Sequence, residues 1–203
     1  MGFFDFFRRP PPIRDREGLA DFIDRNAAFL TQKGIYEYSR ARAGHYAKVL
    51  FAESSFENAV EQARWRAYPL GLVMVGELVE GVLRPYAARE SGQLAALSDL
   101  VLSIFDGYPV PAALGREEWL ELRAELVRGL ALIGLHPPKR AMDIPLVFAE
   151  SYFRLMPIHE KLRGSDAPTI RNYLRVTLCN IHDEFSRRAD APALASALHR
   201  QDA

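Results

Sequence analysis

The spacing of hydrophobic residues predicts helices along nearly the whole chain. In the first segment after the N-terminus, apolar side chains recur mostly three or four positions apart, which places them on one helical face; they are Leu19, Phe22, Ile23, Phe29 and Leu30. This pattern predicts a helix over 15–33 that ends at Gly34, and a second helix over 35–51.

A third helix is predicted to begin at Ser54, because Ser54 followed by Glu57 matches a capping box, in which each side chain accepts a hydrogen bond from a free backbone N–H. Pro69 is expected to break or kink this helix. The segment that follows, 70–83 (LGLVMVGELVEGVL), is the most apolar of the chain and contains two glutamates. It is shorter than the about 20 apolar residues of a membrane-spanning helix, so it is predicted to be a central core helix.

In the last third of the chain, an aspartate stands two residues before a proline at three places, Asp143, Asp166 and Asp190. An aspartate at the N-cap and a proline in the first turn both favour a helix start. The pattern predicts helices at 144–162 (bent at Pro157), 167–189 and 191–200.

The fold class that follows is all-α. Two further amphipathic helices are predicted over 93–105 and 117–133, with a loop rich in glycine and proline between them. No segment shows the alternation of apolar and polar residues that is typical of a β-strand. We therefore predict a single-domain bundle of about eight or nine helices over 13–203, after a short aromatic N-terminal extension over 1–12.

Composition and charge narrow the class of protein. The 203 residues are 49% hydrophobic and 26% charged, which excludes a disordered or collagen-like chain. The 26 basic side chains balance 26 acidic ones, whereas a nucleic-acid binder usually carries a basic excess, so no nucleic-acid partner is expected. The single cysteine, Cys179, cannot form an internal disulfide, and the N-terminus does not resemble a secretory signal. Both features favour a cytoplasmic protein.

The sequence lacks the familiar catalytic and cofactor motifs. No serine lies in the G-x-S-x-G pattern of serine hydrolases, and the nucleotide-binding patterns G-x-G-x-x-G and G-x-x-x-x-G-K-[ST] do not occur. The zinc-binding pattern H-E-x-x-H and the haem-attachment pattern C-x-x-C-H are also missing. Cys179 and His182 are three residues apart on a predicted helix, but two ligands alone do not make a metal site. They are interpreted as a core thiol beside a hydrogen-bonded histidine, so no metal and no cofactor are expected.

The first twelve residues, MGFFDFFRRPPP, combine four phenylalanines, two arginines and three prolines. Two interpretations stay open. Either the aromatic side chains dock on the protein's own core, or they anchor the chain to a membrane surface or a partner groove, where aromatic rings insert and arginines meet anionic lipid. The residues of this candidate contact are Phe3, Phe4, Phe6, Phe7, Arg8 and Arg9.

A second candidate site consists of polar residues in otherwise apolar segments. Arg64 and Arg66 shortly precede Pro69, and arginine side chains can hold a carboxylate or a phosphate. Glu77 and Glu80 fall in the predicted core helix, where a structural network with these or other arginines is the alternative to an anionic-ligand pocket. The candidate ligand-binding residues are Arg64, Arg66, Glu77, Glu80, His45 and His182.

Two functions from different classes follow from these features. The first is a noncatalytic interaction or adaptor protein, which binds a partner protein, a second copy of itself or a membrane surface through its N-terminal aromatic residues. The second is a small-molecule binding protein or cofactor-independent enzyme, with an anionic ligand in a pocket between helices.

Overall fold

The fold is all-helical, as predicted. The computed structural model describes residues 11–87 and 92–199, and this part of the chain contains helices and turns without a strand. Seven of its α-helices have nine residues or more, whereas eight or nine helices were predicted. The helices predicted before and after Pro69 form a single helix, and the helix predicted over 144–162 is not formed. The α-helices are α1 (Arg16–Ala28), α2 (Gly34–Ala43), α3 (Ala47–Leu50), α4 (Ser54–Leu83), α5 (Gln93–Asp106), α6 (Arg116–Leu130), α7 (Ala149–Arg154), α8 (Glu160–Arg163), α9 (Ala167–Arg188) and α10 (Ala191–His199).

The first two helices are continuous. α1 passes through a π-helical turn at Phe29–Lys33 directly into α2, and the backbone keeps right-handed helical angles through Gly34. The prediction that Gly34 ends the helix is therefore wrong. Gly34 lies so close to two tyrosines that a Cβ would be 2.5 Å from atoms of both Tyr152 and Tyr173. The glycine thus permits close packing, and the helix ends later, at Gly44 with φ 53°.

α4 is the longest helix and forms the centre of the fold. Its 30 residues continue through Pro69, so the predicted break is wrong. A proline removes one backbone hydrogen bond, but Pro69 is buried and so is every residue over 71–80, which confirms the predicted core helix. The predicted capping box is also wrong. Glu53 is the N-cap and Ser54 is already helical, so its hydroxyl cannot cap this helix.

α1 and α4 cross in close contact at Gly71. A Cβ at this position would lie 2.7 Å from the carbonyl oxygen of Ala27 and 2.8 Å from Cγ2 of Thr31. At Gly76, one and a half turns further along α4, the nearest atom to a Cβ would be Cγ2 of Val101 at an ordinary contact distance of 3.6 Å. Close helix packing therefore requires a glycine at the first position and not at the second.

The helix predicted over 144–162 is not formed. The chain makes a 3₁₀ turn at Ile144–Val147 and then the two short helices α7 and α8. Pro157 lies between these helices, and a proline disfavours the α conformation of the residue before it. The helices predicted over 167–189 and 191–200 correspond to α9 and α10.

Of the three aspartates predicted to cap helices, Asp190 does so, with its Oδ1 accepting a 3.3 Å hydrogen bond from the N–H of Ala193. The other two make different bonds. Asp143 accepts from Nε of Arg140 at 2.7 Å, and Asp166 binds the Tyr38 hydroxyl and the Arg42 guanidinium. A nearby donor therefore replaces the backbone N–H as the partner of these two carboxylates.

The start of the described chain is fastened to its end. One hydrophobic core includes residues from Ile13 to Leu198. The N–H of Ile13 donates to the carbonyl of Arg188 and its own carbonyl accepts from the N–H of Asp190, both at 2.9 Å, in a parallel β-bridge. The chain after Pro12 is thus tied to the junction of α9 and α10. The residues of the predicted aromatic contact lie outside the described part: Phe3, Phe4, Phe6, Phe7, Arg8 and Arg9.

Candidate functional site

A cleft of about 780 Å³ opens at this junction. Its walls are the C-terminal part of α4, the segment before the 3₁₀ turn at Ile144, the C-terminal end of α9 and the start of α10. Leu78, Val82 and Ile144 contribute apolar surface to its floor. Pro12 and Arg14 line it from the N-terminal side. The cleft therefore combines segments from both ends of the chain with the central helix.

The lining of this cleft is strongly basic. Four arginine and lysine side chains face it together with one histidine, against a single carboxylate, that of Asp190, among the described residues. The chain as a whole has equal numbers of basic and acidic side chains, so the excess is local. We call this site the cationic cleft; its basic residues are Arg14, Lys139, His182, Arg187 and Arg188.

The two adjacent arginines of the cleft differ in how far they are neutralised. Arg188 forms an ion pair with Glu184, and its Nε also donates to the carbonyl of Pro11 at 3.2 Å. Arg187 is exposed and donates from Nε to the carbonyl of Asp183 at 3.1 Å. Within the described residues no carboxylate lies in ion-pair distance of Arg187. Its terminal nitrogens therefore stay available to an anion.

Two further basic side chains of the cleft, Arg14 and His182, have more distant acidic partners. Nε of Arg14 lies 3.7 Å from a carboxylate oxygen of Asp190, and both side chains are well exposed. Nδ1 of His182 lies 3.6 Å from a carboxylate oxygen of Asp183. Water screens such exposed pairs, so they contribute little to stability and can be exchanged for a ligand.

The part of α4 that lines the cleft also contains two buried glutamates, Glu77 and Glu80. Glu77 has its Oε1 2.8 Å from Nζ of Lys139 and 3.4 Å from Nε2 of His136. The contact with Lys139 is an ion pair rather than a well-directed hydrogen bond. Glu80 accepts two hydrogen bonds from Arg84, at 2.7 Å from Nε and 2.6 Å from Nη2. Both buried carboxylates are thus paired with basic side chains, and Glu77 in turn pairs with Lys139 of the cleft.

The structure does not bring Arg64 and Arg66 to these glutamates. Nη1 of Arg64 donates to Glu61 at 2.8 Å and Nη2 to Gln32 at 2.9 Å, while Arg66 pairs with Glu118. Arg66 is 11 residues before Glu77, or about 16 Å along the helix. The partner of Glu80 is Arg84 and that of Glu77 is Lys139, so neither glutamate pairs with Arg64 or Arg66.

The two candidate histidines lie in different places. His45 is exposed in a 3₁₀ turn after α2 and lines a separate cleft that shares no residue with the cationic cleft. His182 lines the cationic cleft itself. Cys179 is a free, partly buried thiol. Across residues 11–87 and 92–199, no group of three or more histidine, cysteine, aspartate or glutamate side chains is placed to hold a metal ion.

A polar cluster that sequence reasoning missed joins α1, α4 and the loop after α5. The hydroxyl of Tyr68 donates to Oδ1 of Asp24 at 2.5 Å, and the hydroxyl of Tyr108 donates to both oxygens at 2.8 and 2.9 Å. Burial, followed by the bond to the Asp24 carboxylate, raises the pKa of Tyr68 and of Tyr108 above the ordinary value. Both phenols thus stay protonated donors. The cluster is packed among aromatic rings and serves to join the helices.

None of the helices in the described ranges has the length and the apolar content that crossing a bilayer requires. Comparisons with protein-family models, with curated proteins and with solved structures find no match to the chain.

Proposed function

We propose that this chain is a binding protein for an anionic ligand with an apolar part, which it holds in the cationic cleft. The observation that carries the proposal is the local excess of basic residues: four arginine and lysine side chains line the cleft against one lining carboxylate among the described residues. Lys139 and Arg188 already pair with Glu77 and Glu184, so Arg14 and Arg187 are the side chains that would meet the anion. In a chain with a formal net charge of zero, such a concentration marks a place where negative charge is stabilised.

The size and lining of the cleft agree with this proposal. A volume of about 780 Å³ falls within the roughly 300–1,000 Å³ that small-molecule sites occupy. Such sites combine apolar walls with a few charged groups that orient the ligand, and here Leu78 and Val82 supply the former while Arg14 and Arg187 supply the latter. Arginine binds carboxylate and phosphate groups through two parallel hydrogen bonds.

The other described clefts have a smaller charge excess or none. The cleft around His45 is lined by Arg40 and Lys48 against Glu37, a smaller excess of cations. The cleft beside the π-helical turn is lined by two cations, Arg25 and Lys33, and by two acids, Glu37 and Glu184. The cleft at Arg66 contains three glutamates and only one further arginine. Opposite charges in one lining satisfy each other, so the last two clefts carry no comparable attraction for an anion.

The proposal is tested with a matched pair of fluorescent probes. Anilinonaphthalene sulfonate has apolar rings and one negative charge, and phenylnaphthylamine has similar rings without the charge. We expect the sulfonate to bind more tightly than its neutral analogue. The double variant Arg14→Gln, Arg187→Gln should weaken sulfonate binding roughly tenfold, because a hydrogen bond to a charged group contributes about 1.5–3 kcal/mol, and should leave phenylnaphthylamine binding unchanged.

The control is the double variant Arg116→Gln, Arg171→Gln. Both arginines are exposed and neither lines the cleft. Arg171 lies on the same helix as Arg187, 16 residues earlier and about 24 Å away along the axis. This control removes the same total charge, so a similar loss of sulfonate binding in both double variants, or equal binding of the two probes, contradicts the proposal.

An interaction or adaptor role, with a partner protein or a second copy of the chain, stays a prediction. It depends on the phenylalanines and arginines of residues 3–9, which lie outside the described residues. The cytoplasmic location stays a prediction in the same way.

A further inference from the structure

We infer that the outer face of α6 is a dimer interface, on which a second copy of this chain packs its own α6 in the antiparallel direction. The inference goes beyond the proposed anion-binding function and does not depend on it. Three features of α6 carry it: an exposed apolar stripe, the order of large and small side chains in that stripe, and the charges beside it.

The outer face of α6 carries a stripe of apolar side chains. Leu120 and Val127 are 56% and 40% exposed, and Ala124 and the C-cap residue Ala131 are exposed as well. Their spacing of four, three and four positions keeps these residues within about 60° of one another around a helix, as in the contact positions of paired helices. A separate face of α6, which includes Leu126, is buried in the core. The helix thus has a second apolar face that remains open to solvent.

The stripe lies between two neighbouring helices. On one side of it, Arg123 forms an ion pair with Asp106 at the end of α5. On the other side, Glu121 and Glu125 line a cleft that also includes Arg154 of α7. The middle of the stripe therefore faces solvent rather than either neighbour.

The order of residues in the stripe is self-complementary. From the N-terminal end it reads Leu120, Ala124, Val127 and Ala131, with large and small side chains in alternation. In an antiparallel pair whose two-fold axis passes between Ala124 and Val127, Leu120 faces Ala131 of the second copy, and Ala124 faces Val127 of the second copy. Every large side chain then lies opposite a small one, which is the arrangement that lets two layers interdigitate. A parallel pair would instead set leucine on leucine and leave a gap between alanines.

The charges beside the stripe fit the same arrangement. Glu121 and Arg128 are exposed and lie on the same flank of the stripe, about 80–100° around the helix from Leu120. Within the described residues neither side chain is part of an ion pair. The two-fold axis brings Glu121 of each copy beside Arg128 of the other, with an offset of about 3 Å along the helix. Since such an interface is isologous, the dimer gains this ion pair twice.

Sedimentation equilibrium of the full chain tests the inference. A contact between single helices is smaller than the about 800 Å² per partner of a standard interface, so we expect a weak dimer. The apparent mass should rise from that of one chain towards that of two between about 10 μM and 1 mM protein.

Charge reversal beside the stripe gives the sharpest comparison. Glu121→Arg and Arg128→Glu, each alone, place like charges at both contacts and should weaken dimerisation roughly tenfold, since an exposed pair contributes modestly but occurs twice. The double variant Glu121→Arg, Arg128→Glu should dimerise like the parent. An equimolar mixture of the two single variants should also associate like the parent, because opposite charges again meet at both contacts. The control, Arg171→Glu, makes the same charge change at an exposed residue of α9 and should have no effect.

Leu120→Gln tests the stripe itself. It should weaken dimerisation roughly tenfold, because each dimer loses two buried leucines. Since Leu120 is 56% exposed in the single chain, dilute samples of this variant should melt at the temperature of the parent. The double variant Arg14→Gln, Arg187→Gln of the cationic cleft should dimerise like the parent, which separates this inference from the proposed function.

The contrary outcomes are distinct. A parent chain that stays monomeric up to about 1 mM overturns the inference, and a different partner would then be needed to cover the stripe. Dimerisation that is unchanged in the two single variants, or not restored in the double variant, also overturns it, because the copies then meet at another surface. Neither outcome affects the anion-binding proposal, which the sulfonate probe tests separately.

Discussion

The Tyr152 hydroxyl donates a 2.7 Å hydrogen bond to the main-chain carbonyl of Thr31, inside the π-helical turn that joins α1 to α2. Tyr173 donates to the preceding carbonyl, that of Leu30, at 3.2 Å. A π-helical turn interrupts the regular pattern of backbone hydrogen bonds, and these two phenols supply donors from α7 and α9. The widened turn is thus supported from outside its own helix.

Replacing Tyr152 by phenylalanine should lower the free energy of unfolding by about 1–3 kcal/mol, because it leaves a buried carbonyl without its donor. Urea denaturation measures the change. Tyr46→Phe is the matched control, since Tyr46 is 73% exposed. Equal stability of the two variants would mean that the Thr31 carbonyl does not depend on this bond.

Two glycines of α4 should respond in opposite ways to alanine. Alanine in a helix is favoured over glycine by about 1 kcal/mol, so Gly76→Ala, where a Cβ meets only ordinary contacts, should be neutral or stabilising. Gly71→Ala should destabilise by about 1–3 kcal/mol, as overpacking does, because its Cβ meets the Ala27 backbone. Thermal melts of both variants decide; stabilisation by Gly71→Ala would show that α1 can move away from α4.

Stability should fall at alkaline pH. Burial and the bond to Asp24 raise the pKa of Tyr68 and Tyr108 in the folded protein, whereas a tyrosine in the unfolded chain releases its proton near about pH 10. A group whose folded pKa is raised contributes stability that is complete below the unfolded pKa and is lost as the pH rises above it. The free energy of unfolding should therefore decrease above about pH 10.

The matching variant is Tyr68→Phe. It should be less stable than the parent near neutral pH, because one donor to Asp24 is gone, and its stability should decrease less steeply above about pH 10. Urea denaturation at several pH values gives both quantities. An unchanged slope would show that Tyr68 ionises equally easily in the folded and unfolded chains.

Arg84 and Arg66 should differ in their contribution to stability. The partner of Arg84 is the Glu80 carboxylate, whose side chain is 8% exposed, while Arg66 and Glu118 are both about one-third exposed. Arg84→Met should cost about 2–3 kcal/mol, less than the 3–5 of a fully buried pair, because Arg84 itself reaches solvent. Arg66→Met should cost about 1 kcal/mol or less. Denaturant melts that rank the two variants in the other order would contradict the structure.

Sequence periodicity predicted the elements whose determinants are local. The helix predicted over 93–105 is α5, which ends one residue later than predicted. Gly34 and Pro69 are also local signals, but both were misread, because their conformation is decided by contacts with residues far away in the sequence. Two tyrosines pack on Gly34, and Pro69 is itself buried shortly before the fully buried segment 71–80. The period of a helix carries no information on such contacts.

The residues of the cationic cleft were even harder to predict from the sequence than the conformations of Gly34 and Pro69. Of the six candidate ligand-binding residues, only His182 lines it. Arg14, Lys139 and Arg187 are separated by more than 40 residues from one another in the sequence, so no spacing rule connects them. The one local signal was the pair of adjacent arginines at 187 and 188, at the end of one predicted helix and shortly before the next. Basic residues at the C-terminal end of a helix are ordinarily explained by the helix dipole, so they do not by themselves indicate a binding site.

The β-bridge of Ile13 also determines how the protein responds to force. Tension applied at the N-terminal end of the chain reaches the fold through Ile13, and its two 2.9 Å hydrogen bonds to Arg188 and Asp190 share the load. The load then acts on the junction of α9 and α10, which is one wall of the cleft. A pull on this end of the chain would therefore be transmitted first to the wall of the cleft.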